Sequence, residues 1–546
     1  MALKVPKAGL NTMLKDGYKL SSGLEEAVFR NIAATKELCE ITRTSLGPNG
    51  RNKLVVNHLE KLFLTNDAAT IMKELDVIHP AAKLLCMAAV QQEVEMGDAT
   101  NFVLVFAGEL LQKGEHLLKM GLHPSEVIDG YIEAGKKAKE IFDEISVETV
   151  NDYRSKSELL KVVKSCIASK QYGYEDFFGS IIVDACLEIL PKNNPGAFNV
   201  DSIRVVKILG ASLLDTSVVK GMVFGREPEG SVTNITNGKI AIFSCGLDVQ
   251  TTETKGTVLI KNAQDMLNFS SGEEKNLEDL IKAIADTGVK VVVSGSGIGE
   301  LALHFFNRFG IMVVKILSKF DLRRLCRVTG ATALARMGPP LPEELGHIDV
   351  VESLEIGSDR CTVFRQATEE TKTATIVIRG ATMNLLDDIE RAIDDAVNTV
   401  KAIVSKDARL LAGAGSCEIE VAKRLLSIAE KTPGLAQYSM KAFAESLEVL
   451  PRTLAENSGM DSTEVVSKLY AAHEKENSTM GVDIESTDNG LVDVKKVAIY
   501  DSLVIKQSAI KLATSSAVTV LSIDQIIMSR PAGGPKPKQN NNWDED

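Results

Sequence analysis

Aromatic residues make up only 5% of this 546-residue chain, and its one Trp lies close to the C-terminal end. A surface that stacks nucleic-acid bases needs several such rings, so a base-stacking binder is excluded. Basic residues are in deficit as well: 62 Lys and Arg against 74 Asp and Glu give a formal charge of −12. A nucleic-acid footprint carries the opposite sign, so no nucleic-acid partner is expected. The eight cysteines (Cys39, Cys86, Cys166, Cys186, Cys245, Cys326, Cys361 and Cys417) are scattered singly, and the seven histidines are equally dispersed. Without Cys-x-x-Cys or His-x-x-x-His there is neither a zinc-ligand cluster nor a disulfide framework. Reduced thiols in a cytosolic protein are the expectation. No apolar run approaches the roughly 18–20 residues that cross a bilayer. The first residues, Met-Ala-Leu-Lys-Val-Pro-Lys, lack the apolar stretch of a secretory signal. A cytoplasmic location without a membrane partner is therefore expected. No G-x-x-x-x-G-K-[ST] sequence occurs, which excludes a P-loop NTPase.

What is present is ordinary for a globular protein: 44% hydrophobic and 25% charged residues. The length exceeds one hydrophobic core, so two to four domains are expected. Segments 33–43, 80–90, 100–119 and 395–475 carry apolar residues at helical spacing. So does 506–527, where Ala509, Ala513, Ala517 and Val520 recur every three or four residues and would let helices approach closely. Between about 214 and 370, strands at 240–244, 289–294 and 311–316 alternate with helices at 277–288 and 298–309, which argues a compact α/β unit. The polar stretch 248–276 reads as an excursion from that unit. A helical block, an α/β block and a second helical block suggest an insertion. One mainly α-helical domain would form from 1–145 and 405–528, with joints at 146–213 and 371–404 and an inserted unit at 214–370. Residues 529–546, rich in Pro, Gly, Lys and Asn, should be a disordered tail.

Three polar turns concentrate the chemistry. The first, Arg43-Thr44-Ser45-Leu46-Gly47-Pro48-Asn49-Gly50, follows a helix and can turn backbone amides toward a phosphate. Its plainer reading is a helix end with Gly at the left-handed position. The second, Thr65-Asn66-Asp67-Ala68-Ala69-Thr70, and the third, Gly97-Asp98-Ala99-Thr100-Asn101, each put an acid and hydroxyls at a helix start. Amides and dipole there favour anions, and the carboxylate can hold Mg²⁺ beside them. An ordinary cap explains any one alone; three within about sixty residues are harder to dismiss. A fourth turn, Ala412-Gly413-Ala414-Gly415-Ser416, also precedes a helix. Ser294-Gly295-Ser296-Gly297-Ile298-Gly299 imitates a dinucleotide fingerprint, but Glu300 stands where the last Gly belongs, and a tight turn suffices. Segment 387–404 is an amphipathic helix whose stripe is Ile389, Ile393, Ala396, Val400 and Ile403. Asp395, four residues after Arg391, is expected to form a solvated intrahelical ion pair with it.

In their order along nearly the whole chain, these clusters resemble the group II chaperonins. That family shows R-[ST]-x-x-G-P-x-G, T-N-D-G-A-T-I, G-D-G-T-[TS], R-G-x-T, E-R-[SA]-x-x-D-A, G-G-G and [DE]-x-x-x-V-K-x-x-A-I. The counterparts here are 43–50, 65–71, 97–101, 379–382, 390–396, 413–415 and 501–510. The resemblance implies a multidomain chaperonin fold: a mainly α-helical equatorial ATP-binding domain from both chain ends, an α/β intermediate hinge domain, and an inserted α/β apical domain. The excursion at 248–276 would include a helical lid protrusion. Segments 65–69, 321–326 and 530–535 point to one paralogue of the eukaryotic cytosolic complex. Seven paralogous subunits would complete an eight-membered ring, two rings would stack, and unfolded proteins, actin- and tubulin-like chains among them, would be clients.

The resemblance also implies roles. Ser45, Leu46, Gly47 and Pro48 would line an ATP pocket. Asp98 would hold Mg²⁺ beside Ala99, Thr100 and Asn101, with Thr100 on phosphate. Asp67 and Asp395 would position and polarise the attacking water, and Lys170 would sense the γ-phosphate. Gly413, Ala414, Gly415, Asp483 and Asp501 would meet the nucleoside, Asp501 at the ribose. Lys319, Phe320, Asp321, Arg324 and Arg327 would face clients. The chain departs from the pattern with Ala for Gly at Ala68, Ala99 and Ala414, and with Asn101 for Thr or Ser. A methyl there obstructs backbone approach or a positive φ, so a working but weakened ATPase is expected. The alternatives are a structural ring subunit that hydrolyses little, and a dinucleotide enzyme using 295–299.

Overall fold

The computed structural model describes residues 19–22, 27–192, 194–248, 263–357, 359–366, 373–475, 477–485 and 490–528. The chain begins with β1 (Lys19–Ser22), α1 (Phe29–Arg43), the hairpin β2 (Lys53–Val56) and β3 (Leu62–Thr65), then α2 (Ala68–Glu74), α3 (Pro80–Met96), α4 (Thr100–Lys119), α5 (Pro124–Glu144) and β4 (Glu148–Thr149). Next come α6 (Lys156–Ala168), α7 (Glu175–Ile189) and β5 (Ile203–Leu209). The middle holds β6 (Ser217–Phe224), β7 (Asn234–Phe243), α8 (Ala263–Asp286), β8 (Val289–Ser294), α9 (Glu300–Arg308), β9 (Met312–Lys315), α10 (Lys319–Thr329), β10 (Ala333–Leu334), β11 (Gly346–Ile356) and β12 (Asp359–Arg365). The return path is β13 (Ala374–Gly380), α11 (Met383–Ser405), β14 (Arg409–Ala412), α12 (Ser416–Ala429), α13 (Ala436–Leu447), α14 (Val449–Asn457) and α15 (Ser462–Glu474). It closes with β15 (Met480–Val482), β16 (Leu491–Asp493), α16 (Val494–Val497), β17 (Tyr500–Ser502), α17 (Leu503–Leu521) and β18 (Gln525–Met528).

The largest core joins the two ends of the chain, drawing on Val28 to Phe142 and again on Leu411 to Leu521. Its axis is α4, whose Phe102, Leu104, Phe106, Leu110 and Leu111 are buried. Phe106 meets Phe443 of α13 edge-on, ring centroids 5.4 Å apart, a favoured aromatic geometry. Ala509, Ala513 and Ala517 of α17 are fully buried, and α17 packs on α3, α4 and α5. Their lack of bulk is what lets four helices converge. A second core joins both joints: Leu159, Ile167, Phe178 and Ile182 pack with Ile376, Ile389, Ile393 and Val397.

The middle is built on a nine-stranded sheet in the order β5-β13-β6-β12-β11-β7-β8-β9, with β10 beside β7. β7, β8 and β9 run parallel, the arrangement expected where helices cover both faces. Alternation along them feeds two cores. Ile240, Ile242, Val291, Val293, Met312 and Val314 face one, and Ala241, Phe243, Val289, Val292 and Val313 face the other.

Three local expectations change. The helix over 506–527 stops at Leu521, and the β-branched pair Ile526 and Ile527 enters β18, which pairs antiparallel with β1. The helix expected at 277–288 begins at Ala263 and takes in the end of the polar excursion; residues 249–262 lie outside the described residues. The helix before the first polar turn ends at Arg43 with Thr44 as C-cap, so Gly47, although its φ is 82°, is not the left-handed cap of that helix. The tail expected at 529–546 also lies outside the described residues.

Candidate functional site

Asp67 caps α2: its Oδ2 accepts from the Thr70 amide at 3.0 Å and from the Thr70 hydroxyl at 2.7 Å. Its other oxygen, Oδ1, receives Lys170 Nζ at 3.3 Å. The cap and the site residue are thus one side chain, with one oxygen for each task. Asp98 lies between α3 and α4, and it is not a helix cap. Ala99 is the N-cap of α4 and makes no side-chain cap bond. Asp98 Oδ1 accepts from the Ala99 amide at 2.6 Å, and among the described residues Asp98 makes no ion pair. Gly97 holds α3 tight against α11: with φ at 82°, a Cβ there would stand 2.4 Å from Asn398 Cβ.

Asp395 comes from the middle of α11, only 8% exposed, and pairs with Lys170 just beyond α6. The expected solvated pair with Arg391 does not form. Arg391 instead bonds Asp388 and reaches Thr65 of β3 at 3.4 Å. The i,i+4 rule presumes an exposed face, and this face of α11 is covered by β3 and α6.

One cleft gathers these groups. Asp67, Asp98, Asp395 and Lys170 line it, and Ser45, Leu46 and Gly47 form one wall. Ala99, Thr100 and Asn101 at the start of α4 also line it, as do Ala414, Gly415 and Asp501 from the returning half of the chain. Three expected residues do not line it. Pro48 lies in the turn beyond Gly47. Gly413 packs behind Asp501, its amide donating to Ile499 O at 3.1 Å. Asp483 closes a turn, its amide donating to Gly490 O at 3.0 Å and its carboxylate accepting from the Glu485 amide at 3.0 Å. Asn101 ties two of the turns together, Nδ2 donating to Thr42 O and Ser45 Oγ, both at 3.1 Å. Two of the Ala departures adopt left-handed backbone: φ is 65° at Ala99 and 52° at Ala414. Ala68 starts α2 and is buried.

The cleft is strongly polarised. Burial would raise the Asp67 carboxyl, but Lys170 and the Thr70 bonds outweigh it and hold Asp67 down at about 2. Burial opposes charge on Lys170, but Asp395 and Asp67 prevail and keep it protonated. Asp395 is pushed well up by burial, against Lys170, with Asp67 and Asp98 adding repulsion. Burial also raises Asp98. A partly buried carboxylate that among the described residues makes no ion pair fits a hard divalent ion completed by phosphate oxygens and water.

Sequence reasoning gave no role to several lining groups. Lys506 lies within 501–510 and is buried in the cleft wall, bonded to Glu418 at 2.6 Å. Thr399 and Ser169 also line the cleft; neither carries a local motif that would mark it. At 294–299 three amides are already engaged: Gly295 N donates to Phe243 O at 2.7 Å, Ser296 N to Ser294 Oγ at 3.3 Å and Gly299 N to Leu247 O at 2.9 Å. These bonds close a tight strand–helix turn. On α10, Phe320 is 72% exposed, and Lys319 and Arg327 are exposed. Asp321 pairs with Arg204 at 2.7 Å and Arg324 at 3.1 Å. Arg324 Nε donates to Asp201 O at 2.9 Å. Among the described residues no helix is long and apolar enough to cross a membrane.

The model of the TCP-1/cpn60 chaperonin family matches residues 38–531. The probable T-complex protein 1 subunit theta of Schizosaccharomyces pombe is 57% identical over 548 residues, covering 100% of both chains. The theta subunit of Dictyostelium discoideum is 55% identical, covering 98% of this chain and 99% of its own. That of Homo sapiens is 53% identical with 100% of both chains covered.

Proposed function

The chain belongs to the TCP-1/cpn60 chaperonin family, and on that premise we propose that its cleft binds and hydrolyses Mg²⁺-ATP to drive lid closure. It is a subunit of a hetero-oligomeric chaperonin that acts in protein folding. The observation that carries the ATPase reading is the meeting of Asp67, Asp98, Asp395 and Lys170 in one cleft from three distant segments.

In this reading, α-helical residues 1–145 and 405–528 form the equatorial domain, 146–213 and 371–404 the hinge, and 214–370 the apical domain. Asp98 would hold Mg²⁺, which supplies charge neutralisation of the phosphates when bound. The amides and hydroxyl at the start of α4 cradle phosphate, Thr100 among them. Asp395, its carboxyl pushed up by burial and paired with Lys170, would in its ionised form accept the proton of the attacking water, and Asp67 would orient that water. Lys170 sits between both acids, so a γ-phosphate would compete for its ammonium and release them for the task. Phosphoryl transfer to water needs little beyond such positioning and charge. Asp395 and Lys170 belong to the hinge segments, whereas Asp67 and Asp98 belong to the helical body. Closure of the hinge therefore completes the site, and nucleotide state couples to the apical unit. The surroundings would be a cytoplasmic, eight-membered double ring of the TRiC type. Clients would meet Lys319, Phe320, Asp321, Arg324 and Arg327; actin- and tubulin-like chains are candidates.

A second reading, a ring subunit that binds nucleotide but turns over little, is favoured by the left-handed Ala99 and Ala414. One experiment separates them. The assembled complex is labelled per subunit with a photoreactive, α-labelled ATP analogue, and the bound nucleotide is identified. The ATPase reading expects bound ADP in the wild type and retained ATP after Asp395→Asn. Retained ATP in the wild type supports the second reading, and no label in this subunit rejects both.

A further inference from the structure

Beneath the presumed sugar end of the cleft lies a second buried charge cluster that the hydrolytic groups do not use. Lys506, in the first turn of α17, is 10% exposed at its side chain. Its Nζ donates a hydrogen bond to Glu418 Oε1 at 2.6 Å and forms an ion pair with Asp501 Oδ2 at 3.1 Å. It also sits 4.9 Å above the ring of Phe102, the residue next to Asn101. Glu418 is completely buried at the start of α12, where Cys417 Sγ donates to its other oxygen at 3.0 Å. Asp501 is the partly open member, 28% exposed at its side chain. Its strand β17 is fixed against β14, with Asp501 opposite Leu411.

Charge logic gives each member a different task. Glu418 lies too deep to touch any ligand. A fully buried carboxylate survives there only because a cation meets it. Lys506 is held in place by that anchor and so approaches Asp501 from behind. The charge of Lys506 draws one oxygen of Asp501 toward it and so biases the orientation of a carboxyl that borders the cleft. A carboxylate held in one plane accepts a vicinal diol better than one free to rotate, because the ordering cost is already met.

We propose that Lys506 is a positioning residue that, anchored by Glu418, orients Asp501 to accept the ribose hydroxyls of the nucleotide. This rests on the nucleotide reading of the cleft. It adds that sugar recognition in this subunit depends on a lysine that touches no ligand atom.

The test uses the assembled complex and per-subunit photolabelling with 8-azido-ATP and with 8-azido-2′,3′-dideoxy-ATP. The variant is Lys506→Met with Glu418→Gln, which removes the buried cation and its buried partner together, so no unpaired charge remains inside. The wild-type subunit should bind the ribo form more tightly. In the double variant, affinity for the ribo form should fall about tenfold, the worth of one charged hydrogen bond. Affinity for the dideoxy form should stay within about twofold. Equal weakening of both analogues, or no change in either, overturns the proposal. A wild-type subunit that labels with ATP but does not discriminate overturns it too, while leaving the nucleotide reading intact. A wild-type subunit that takes up neither analogue overturns both. If the double variant does not assemble, Glu418→Gln alone decides. It removes the anchor that holds Lys506, so discrimination must fall, and an unchanged discrimination refutes the idea.

Discussion

Replacing Lys170 by Met tests whether one cation holds the hydrolytic groups together. Lys170, Asp67 and Asp395 are exposed at their side chains by only 10%, 8% and 11%. Removing the ammonium leaves two carboxylates facing each other with little water. Breaking a buried pair in this way costs about 3–5 kcal/mol. Lys170→Met should therefore lower local stability by that order. Lys170→Met combined with Asp395→Asn should recover part of the loss, because one buried charge disappears and Asp67 keeps its bonds to Thr70. The coupling between the two substitutions should be about 1–3 kcal/mol, the upper part of the range for residues in contact. Hydrogen exchange of α2 and the end of α6 in the assembled complex gives the opening free energies. Turnover at this site should be lost in all three variants. Opening energies that add to within about 0.5 kcal/mol would refute the reasoning, because they would mean that Lys170 and Asp395 do not feel each other.

Asp98→Asn should abolish Mg²⁺-dependent labelling of this subunit by the ATP analogue while leaving the fold unchanged, since among the described residues Asp98 makes no ion pair; circular dichroism and per-subunit labelling check both halves. Ala99→Gly and Ala414→Gly should each relieve a left-handed backbone that costs an L-residue about 1–2 kcal/mol, less the entropy that Gly adds to the unfolded chain. Both should raise nucleotide occupancy, read from the same labelling. Glu420 is held at about 2, from an ordinary 4.5, by bonds from His473 and Arg424. Its folded value is depressed, so its contribution is complete above pH 4.5 and fades as pH falls toward 2. Limited proteolysis between α12 and α15 should accelerate over that window, and Glu420→Gln should flatten the response. Phe320→Ser, which removes an exposed ring from α10, should weaken capture of an unfolded client without changing ATP labelling.

What was legible in the sequence was local. Asp67 announced itself as a helix cap, and the apolar runs at 289–294 and 311–316 announced strands of an α/β unit. Contacts between residues far apart along the chain carry no such signature. Lys170 meets Asp67 across 103 residues, and only resemblance pointed to it. Lys506 meets Glu418 across 88, and nothing pointed to it. Asp395 shows why a sound local rule can fail. Its spacing from Arg391 suits an exposed helix, but α11 is enclosed: Asp395 goes to Lys170 from another element, and Arg391 turns to Asp388 on its own helix. The Ala replacements argue in the other direction. From sequence they read as lost permissiveness. In the fold Ala99 and Ala414 nevertheless keep φ values of 65° and 52°, so the surroundings impose a loop shape that the residue itself resists. Such strain persists only where the neighbouring structure over-determines the backbone. Around Ala99 that structure is identifiable: Asp98 accepts its amide, Gly97 packs on Asn398, and Asn101 ties the turn to Ser45. The loop is thus held in its left-handed shape by its partners, which argues that weakened turnover, if measured, will come from hindered backbone approach rather than from a collapsed site.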